Sequence, residues 1–201
     1  MKILIAGATG WIGRSLGREL VRRGHEVIGL ARDVKKAQRT CPFPARWYLW
    51  PSADSPLPDL ASEDKIDAVL SLLGEPVAET RWNDSIKNEI RSSRTEGTKH
   101  LANFVRQRRI ATFVSASAIG FYGDRGDEDL NEHAAPGSGF LPEVCGSWER
   151  AIFSAQDPTR CVAVRIGIVL GRESGALAKM LPAFRLGCGG PIGGGNQWMS
   201  W

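Results

Sequence analysis

An α/β fold, a doubly wound parallel sheet with helices on both faces, is what the 201-residue sequence predicts. Three observations carry that expectation. Lys2-Ile3-Leu4-Ile5-Ala6 is a near-continuous apolar run of strand length, and it leads directly into the glycine turn Gly7-Ala8-Thr9-Gly10-Trp11-Ile12-Gly13. Apolar runs of similar length recur along the chain, as expected of buried strands. Between most of them lie segments whose apolar residues repeat at helical spacing, and that alternation builds a parallel sheet.

The elements follow in order. Trp11, Ile12, Leu16, Leu20 and Val21 mark a helix after the turn, and Gly24 suits its C-terminus. Glu26–Ala31 reads as the second strand, Asp33–Arg39 as a short polar helix, and Ala45–Leu49 as a third strand. The prolines and serines of Pro51–Pro58 make a loop. Asp67–Leu73 supplies a fourth strand, Ser85–Arg106 a long helix, and Thr112–Ser115 a fifth strand. Glu143–Ala155 is a helix with Val144, Trp148, Ala151 and Ile152 on one face, and Cys161–Ile166 is the sixth strand. Six glycines between Gly187 and Gly195 indicate a loop that leaves the core.

Composition excludes disorder and membrane spanning, with 42% hydrophobic and 24% charged residues and no long apolar stretch. Glycines interrupt the first apolar run too early for a cleavable signal. Cys41, Cys145, Cys161 and Cys188 form no close pair and only three histidines are present, so neither a zinc site nor a disulfide framework is expected. A reducing cytoplasmic setting follows as the expectation. The net charge of +4 comes from arginines dispersed over several helices, and Arg106-Gln107-Arg108-Arg109 sits at a helix end where cations offset the dipole. That pattern predicts a solvated surface without nucleic-acid contact, and small molecules are the expected partners.

The glycine spacing has a physical reading. One glycine permits the turn, one admits backbone N–H groups to a pyrophosphate, and one lets the helix pack on the strand; the N-terminus of that helix then faces the anion. The expected cofactor is a dinucleotide, with Gly7, Thr9, Gly10, Trp11, Ile12 and Gly13 in the phosphate turn. Arg32, just beyond the second strand, offers a planar fork to a 2′-phosphate, which predicts NADP(H) in preference to NAD(H). Against that, Arg32 is solvated and Asp33 simply caps the next helix.

Matched segments run through nearly the whole chain. They are Gly7-x-x-Gly10-x-x-Gly13, Leu72-Leu73-Gly74-Glu75-Pro76, Trp82 with Ile90–Arg94, Ser115–Asp124, Gly139-Phe140-Leu141, Val144-Cys145 with Trp148-Glu149, Arg165–Gly171, and Gly189–Gly193 with Gln197-Trp198. With these the sequence resembles the extended short-chain dehydrogenase/reductase superfamily, in its atypical branch of NAD-dependent epimerase/dehydratase-like proteins. The resemblance implies a Rossmann domain over residues 1–175 and the start of a truncated substrate-binding lobe over 176–201. It places Leu72, Leu73 and Gly74 over the cofactor, Arg94 beneath it, and Ser115 beside it.

The resemblance also implies hydride transfer to or from a small carbonyl or sugar-type substrate, with a serine holding the substrate oxygen and a tyrosine–lysine pair moving the proton. The family pattern puts the tyrosine at Leu141 and the lysine at Cys145, and this chain has neither. Two readings stay open. In one, Ser117 positions the substrate and Tyr122 or a water transfers the proton. In the other, the protein binds the nucleotide without turnover, as a redox-responsive or regulatory protein. Lys179 is the one basic candidate after the sixth strand, with a surface role favoured for it. Cys145 reads as a small structural thiol, and Trp82 and Trp198 as either substrate walls or packing.

Overall fold

The computed structural model describes residues 1–75, 77, 81–172, 174–191 and 193–201. Two members of the matched segments, Pro76 and Ile192, lie outside the described residues. Six strands, β1 (Lys2–Ala6), β2 (Glu26–Ala31), β3 (Arg46–Leu49), β4 (Ala68–Ser71), β5 (Thr112–Ala118) and β6 (Arg160–Ile166), form one sheet in the order β3-β2-β1-β4-β5-β6. All neighbouring strands pair in parallel. The helices among the described residues are α1 (Trp11–Arg22), α2 (Val34–Thr40), α3 (Asp84–Gln107), α4 (Phe140–Phe153) and α5 (Gly175–Arg185), and a 3-10 turn, Ile119–Phe121, follows β5. This is the doubly wound architecture that the alternation of apolar runs and helical segments predicts.

Side chains alternate across the sheet, so β1 feeds two cores. Leu4 and Ala6 join a cluster with Leu101, Ala102 and Val105 of α3 and Trp148 and Ile152 of α4. Ile3 and Ile5 face the other way, with Val27, Phe43 and, at the margin, Leu20 and Val21 of α1. Burial on both faces is why β1 carries no polar residue after Lys2. Asparagine and aspartate begin two of the helices: Asn83 accepts the Ile86 N–H and Asp33 the Lys36 N–H, each at 2.9 Å.

Two differences from the sequence expectations stand out. Strand β5 runs three residues further than expected, to Ala118, because β6 pairs with it over seven positions. Helix α5 was not anticipated: Pro182 lies inside it and none of its residues is buried, so its sequence carries no core-facing stripe. Among the described residues, no helix is long and apolar enough to cross a membrane.

Helices α3 and α4 are joined across the core by one polar contact, Trp148 Nε1 donating to Thr98 Oγ at 3.0 Å, with both residues buried. Thr98→Val removes the acceptor and leaves the indole N–H unpaired. Urea denaturation should show a loss of about 1–3 kcal/mol. The Thr98→Val/Trp148→Phe pair should lose less than the sum of the single variants.

Candidate active site

Strand order places the site. The chain winds outward from β1 through β2 to β3, then crosses over to β4, β5 and β6, leaving a crevice at the C-terminal ends of β1 and β4. The glycine turn sits in it. Gly7 has φ +83°, and a Cβ there would fall 2.6 Å from the Leu72 carbonyl oxygen, so the ends of β1 and β4 approach as only glycine allows. A Cβ on Gly13 would fall 2.2 Å from the Gly7 carbonyl oxygen, which fixes the helix start hard against the turn. Gly10 is the N-cap of α1; no side chain caps it, and no acidic residue occupies the first turn. The first N–H groups of α1 therefore meet neither a capping oxygen nor a carboxylate, which suits an anion. This cradle fits a dinucleotide pyrophosphate.

The surrounding residues are placed as follows. Thr9 gives its carbonyl to Arg14 Nε at 2.9 Å, and Ile12 is exposed. Trp11 is half-buried, and its indole fills the space that glycine leaves at 171 and 175, in the segment after β6. Arg32 is largely exposed and pairs with Glu75 at 3.1 Å. Glu75 also gives its carbonyl to Arg94 at 2.9 Å, so it joins Arg32 and Arg94 at the crevice. Arg94 bonds the Ile90 carbonyl, lies over the Trp148 ring and borders Gly74. Burial lowers its guanidinium from the ordinary arginine value, against opposing contributions from Cys145 and Glu75. Leu72 donates its N–H to Ala6, and Leu73 packs on Gly97 of α3. Ser115 is fully buried on β5, its hydroxyl turned to the Ala116 carbonyl.

Further along the same sheet edge lies a cleft of about 1580 Å³, lined among others by Trp82, Tyr122, Phe140, Leu141, Arg165 and Trp198. Tyr122 follows the 3-10 turn, and its hydroxyl oxygen accepts an Arg165 N–H at 2.9 Å. Arg165, from β6, also grips Glu149 of α4 through Nε to Oε1 at 2.8 Å and Nη2 to Oε2 at 2.9 Å. Burial pushes the Glu149 carboxyl up, but hydrogen bonds from Arg165 and Ser117 and the guanidinium charge outweigh it and hold the group below the usual carboxylate value. The hydrogen bond to Glu149 raises Arg165 still further above the ordinary arginine value.

Ser117 is 2% exposed and donates to Glu149 Oε1 at 2.7 Å. Its one proton thus serves the ion pair and not the cleft, a different setting from the substrate-holding one expected from sequence. Cys145 is buried, and burial raises its thiol. Lys179 is exposed on α5. Trp82 stacks edge-on against Phe140 at 5.4 Å and Trp198 donates to Asp127, so both combine packing with a place in the cleft wall.

The structure thus gathers the glycine turn, Arg32, Gly74 and Arg94 in one crevice and Tyr122 in the neighbouring cleft. Sequence reasoning assigned no role to Glu149, Arg165 or Glu75. A signal was present for the first two: a carboxylate on the apolar face of one helix and an arginine within an apolar strand are opposite charges at core positions.

The chain belongs to the NAD dependent epimerase/dehydratase family, whose model matches residues 3–201. It is 35% identical to an epimerase family protein SDR39U1 homologue from Arabidopsis thaliana, covering all of this chain and 58% of that protein. Among solved structures, the nucleoside-diphosphate sugar epimerase from Corynebacterium glutamicum is 39% identical, with a TM-score of 0.82 over 100% of this chain and 40% of the other. Human SDR39U1 (isoform 2), solved with NADPH, is 35% identical, with a TM-score of 0.82 over 100% of this chain and 65% of that one. The chain spans about three fifths of the length of the curated relatives it matches.

Gly13→Ala drives its Cβ into the Gly7 carbonyl, so it should abolish stabilisation by added dinucleotide in a thermal-shift assay while the unliganded chain still folds cooperatively. For Glu149, a carboxyl held below its unfolded value contributes stability that is complete above that value and is lost as pH falls through the folded one. Glu149→Gln should cost about 2–4 kcal/mol near pH 7 in urea denaturation, and the gap should narrow as pH drops below about 4.

Proposed function

We propose that this chain is the nucleotide-binding part of an NADP(H)-dependent reductase or epimerase-like enzyme acting on a small carbonyl or sugar-type substrate. The observation that carries the reading is the uncapped N-terminus of α1 behind a turn whose Gly7 and Gly13 leave no room for a Cβ. NADPH in the human relative's structure supports the choice of cofactor. Gly7, Thr9, Gly10, Trp11, Ile12 and Gly13 would hold the pyrophosphate. Leu72, Leu73, Gly74, Arg94 and Ser115 would border the rest, with Arg32 on the 2′-phosphate. A nicotinamide dinucleotide, when bound, supplies or takes up a hydride.

The chain's own residues handle the oxygen. Leu141 cannot move a proton, and Cys145 carries a thiol where an ammonium would be needed. Tyr122 reaches the cleft, and in the reductive direction it gives its proton to the substrate oxygen as the attached carbon takes up hydride. Ser117 supports it from within, through Glu149. Residues 176–201 begin the substrate-binding part, since Asn196–Ser200 already line the cleft and the Ser200 carbonyl accepts the Ile168 N–H. The four cysteines are free, which suits a reducing, cytoplasmic setting.

A second reading, nucleotide binding without turnover, is favoured by the burial of Cys145 and the absence of an acid or base at Leu141. The two readings part on one measurement: NADPH oxidation with a panel of small aldehydes, ketones and a quinone. Turnover supports the enzyme, whereas cofactor binding without turnover supports the binding protein.

NADPH should raise the melting temperature more than NADH does at equal concentration. Arg32→Ala should erase most of that difference and leave the NADH shift in place. Equal shifts in the parent protein would remove the NADP(H) preference.

A further inference from the structure

We propose that Glu149 and Arg165 are positioning residues for Tyr122: together they hold an N–H against the phenol oxygen so that its proton is directed into the cleft. The proposal rests on the reading above that Tyr122 moves the proton, and it assigns work to two residues that sequence reasoning passed over.

A guanidinium has five N–H donors in a rigid plane. Here Nε and Nη2 take the two Glu149 oxygens side by side, at 2.8 and 2.9 Å, and Nη1 is divided between the Tyr122 hydroxyl at 2.9 Å and the Glu132 carbonyl at 3.1 Å. The plane is also pressed against an aromatic face, with the guanidinium carbon 3.6 Å from the centre of the Phe121 ring and 4.9 Å from that of Tyr122. Carboxylate on one edge, ring on one face and carbonyl beside the third nitrogen leave Arg165 little freedom to turn. Its side chain is only 18% exposed and that of Glu149 only 9%.

The geometry of the phenol follows from that grip. Its oxygen has one proton and two lone pairs, and the Arg165 N–H occupies one lone pair, so the proton points away from β6. Phe121 meets the Tyr122 ring edge-on at 5.5 Å and 87°, which fixes the ring as well. The space into which the proton points is the cleft, which Tyr122, Glu149 and Arg165 all line. Ser117 completes the arrangement from the buried side, donating to the same Glu149 oxygen that Nε holds.

The division of labour explains why a glutamate and an arginine both stand inside the fold. Among the described residues, the Glu149 carboxylate hydrogen-bonds Arg165 and Ser117 alone; its part is to set the angle of the guanidinium. Arg165 in turn stays beside the phenol oxygen after the proton leaves, so an N–H of the Glu149-paired guanidinium faces the phenolate until a cleft water returns a proton. No further oxidant or reductant enters the step. A carbonyl becomes a carbinol with one hydride and one proton, and Tyr122 ends as it began.

The test uses the 201-residue chain with its two tyrosines labelled at the ring carbon bearing the hydroxyl, a carbon whose NMR shift reports hydrogen bonding at that oxygen. Tyr122→Phe assigns the two signals. Arg165→Met should move the Tyr122 signal and leave that of Tyr48 in place, Glu149→Gln should move it in the same direction, and Arg165→Lys should restore part of the shift. In NADPH oxidation with the carbonyl panel, Tyr122→Phe should lower kcat about a hundredfold and Arg165→Met about tenfold or more, with NADPH affinity kept. Arg165→Met added to Tyr122→Phe should cost nothing further.

A Tyr122 signal indifferent to both Arg165 variants overturns the positioning, as does a loss that multiplies in the double variant. Thermal shift by NADPH is measured alongside. If NADPH fails to bind, the reading of the fold as a cofactor site falls; if it binds but no carbonyl is reduced, the proton-transfer role of Tyr122 and its positioning pair falls instead.

Discussion

Parallel pairing of β1 with both β2 and β4 is the constraint on which the rest of the molecule depends. Strands that all run one way finish on one edge, and every loop that follows a strand opens there. Because the chain departs from β1 in opposite directions, the loops after β1 and β4 diverge and leave room between them. Gly7 then lets the two strand ends approach within a distance no side chain would tolerate. The glycine turn, Arg32, the Leu72–Glu75 segment, Tyr122 and Arg165 are neighbours on one edge for this reason, although they are scattered through more than 150 positions of sequence.

A second constraint acts on the far side of that edge. Glu149 and Arg165 are both largely removed from water, and each would be costly alone. The cost is offset by bidentate geometry, by the Ser117 hydroxyl, and by the aromatic face beneath the guanidinium. An apolar pair of similar volume would hold α4 against β6 at less electrostatic expense, so stability alone does not account for the charges. Orientation of a third group, the Tyr122 hydroxyl, does.

Much of the fold was legible because its central strands are covered on both faces. Ile3, Leu4 and Ile5 read as a strand in any register, since neither side of the sheet there faces water. The Asp33 cap was equally plain, as a local hydrogen bond leaves a local signature. Helix α5 was not, because none of its residues is fully buried and Pro182 interrupts its helical pattern. The cofactor turn could be found from spacing since all its parts lie within seven residues. The Glu149–Arg165–Tyr122 group could not be found from spacing: its members come from a helix, a strand and a turn, and it takes both the pairing of β5 with β6 and the packing of α4 on those strands to bring them together. The partner of the Ser117 hydroxyl was hidden for a related reason. Its place on β5 was foreseen, but the carboxylate that claims its proton comes from α4, 32 positions away.

The indole of Trp11 has a mechanical consequence. It is wedged between the first turn of α1 and the backbone at 171 and 175, where glycine leaves the space it fills. The segment after β6 and the start of the phosphate-facing helix therefore behave as meshed parts. A side chain larger than hydrogen at 171 would have to displace that ring, and with it the first turn of α1.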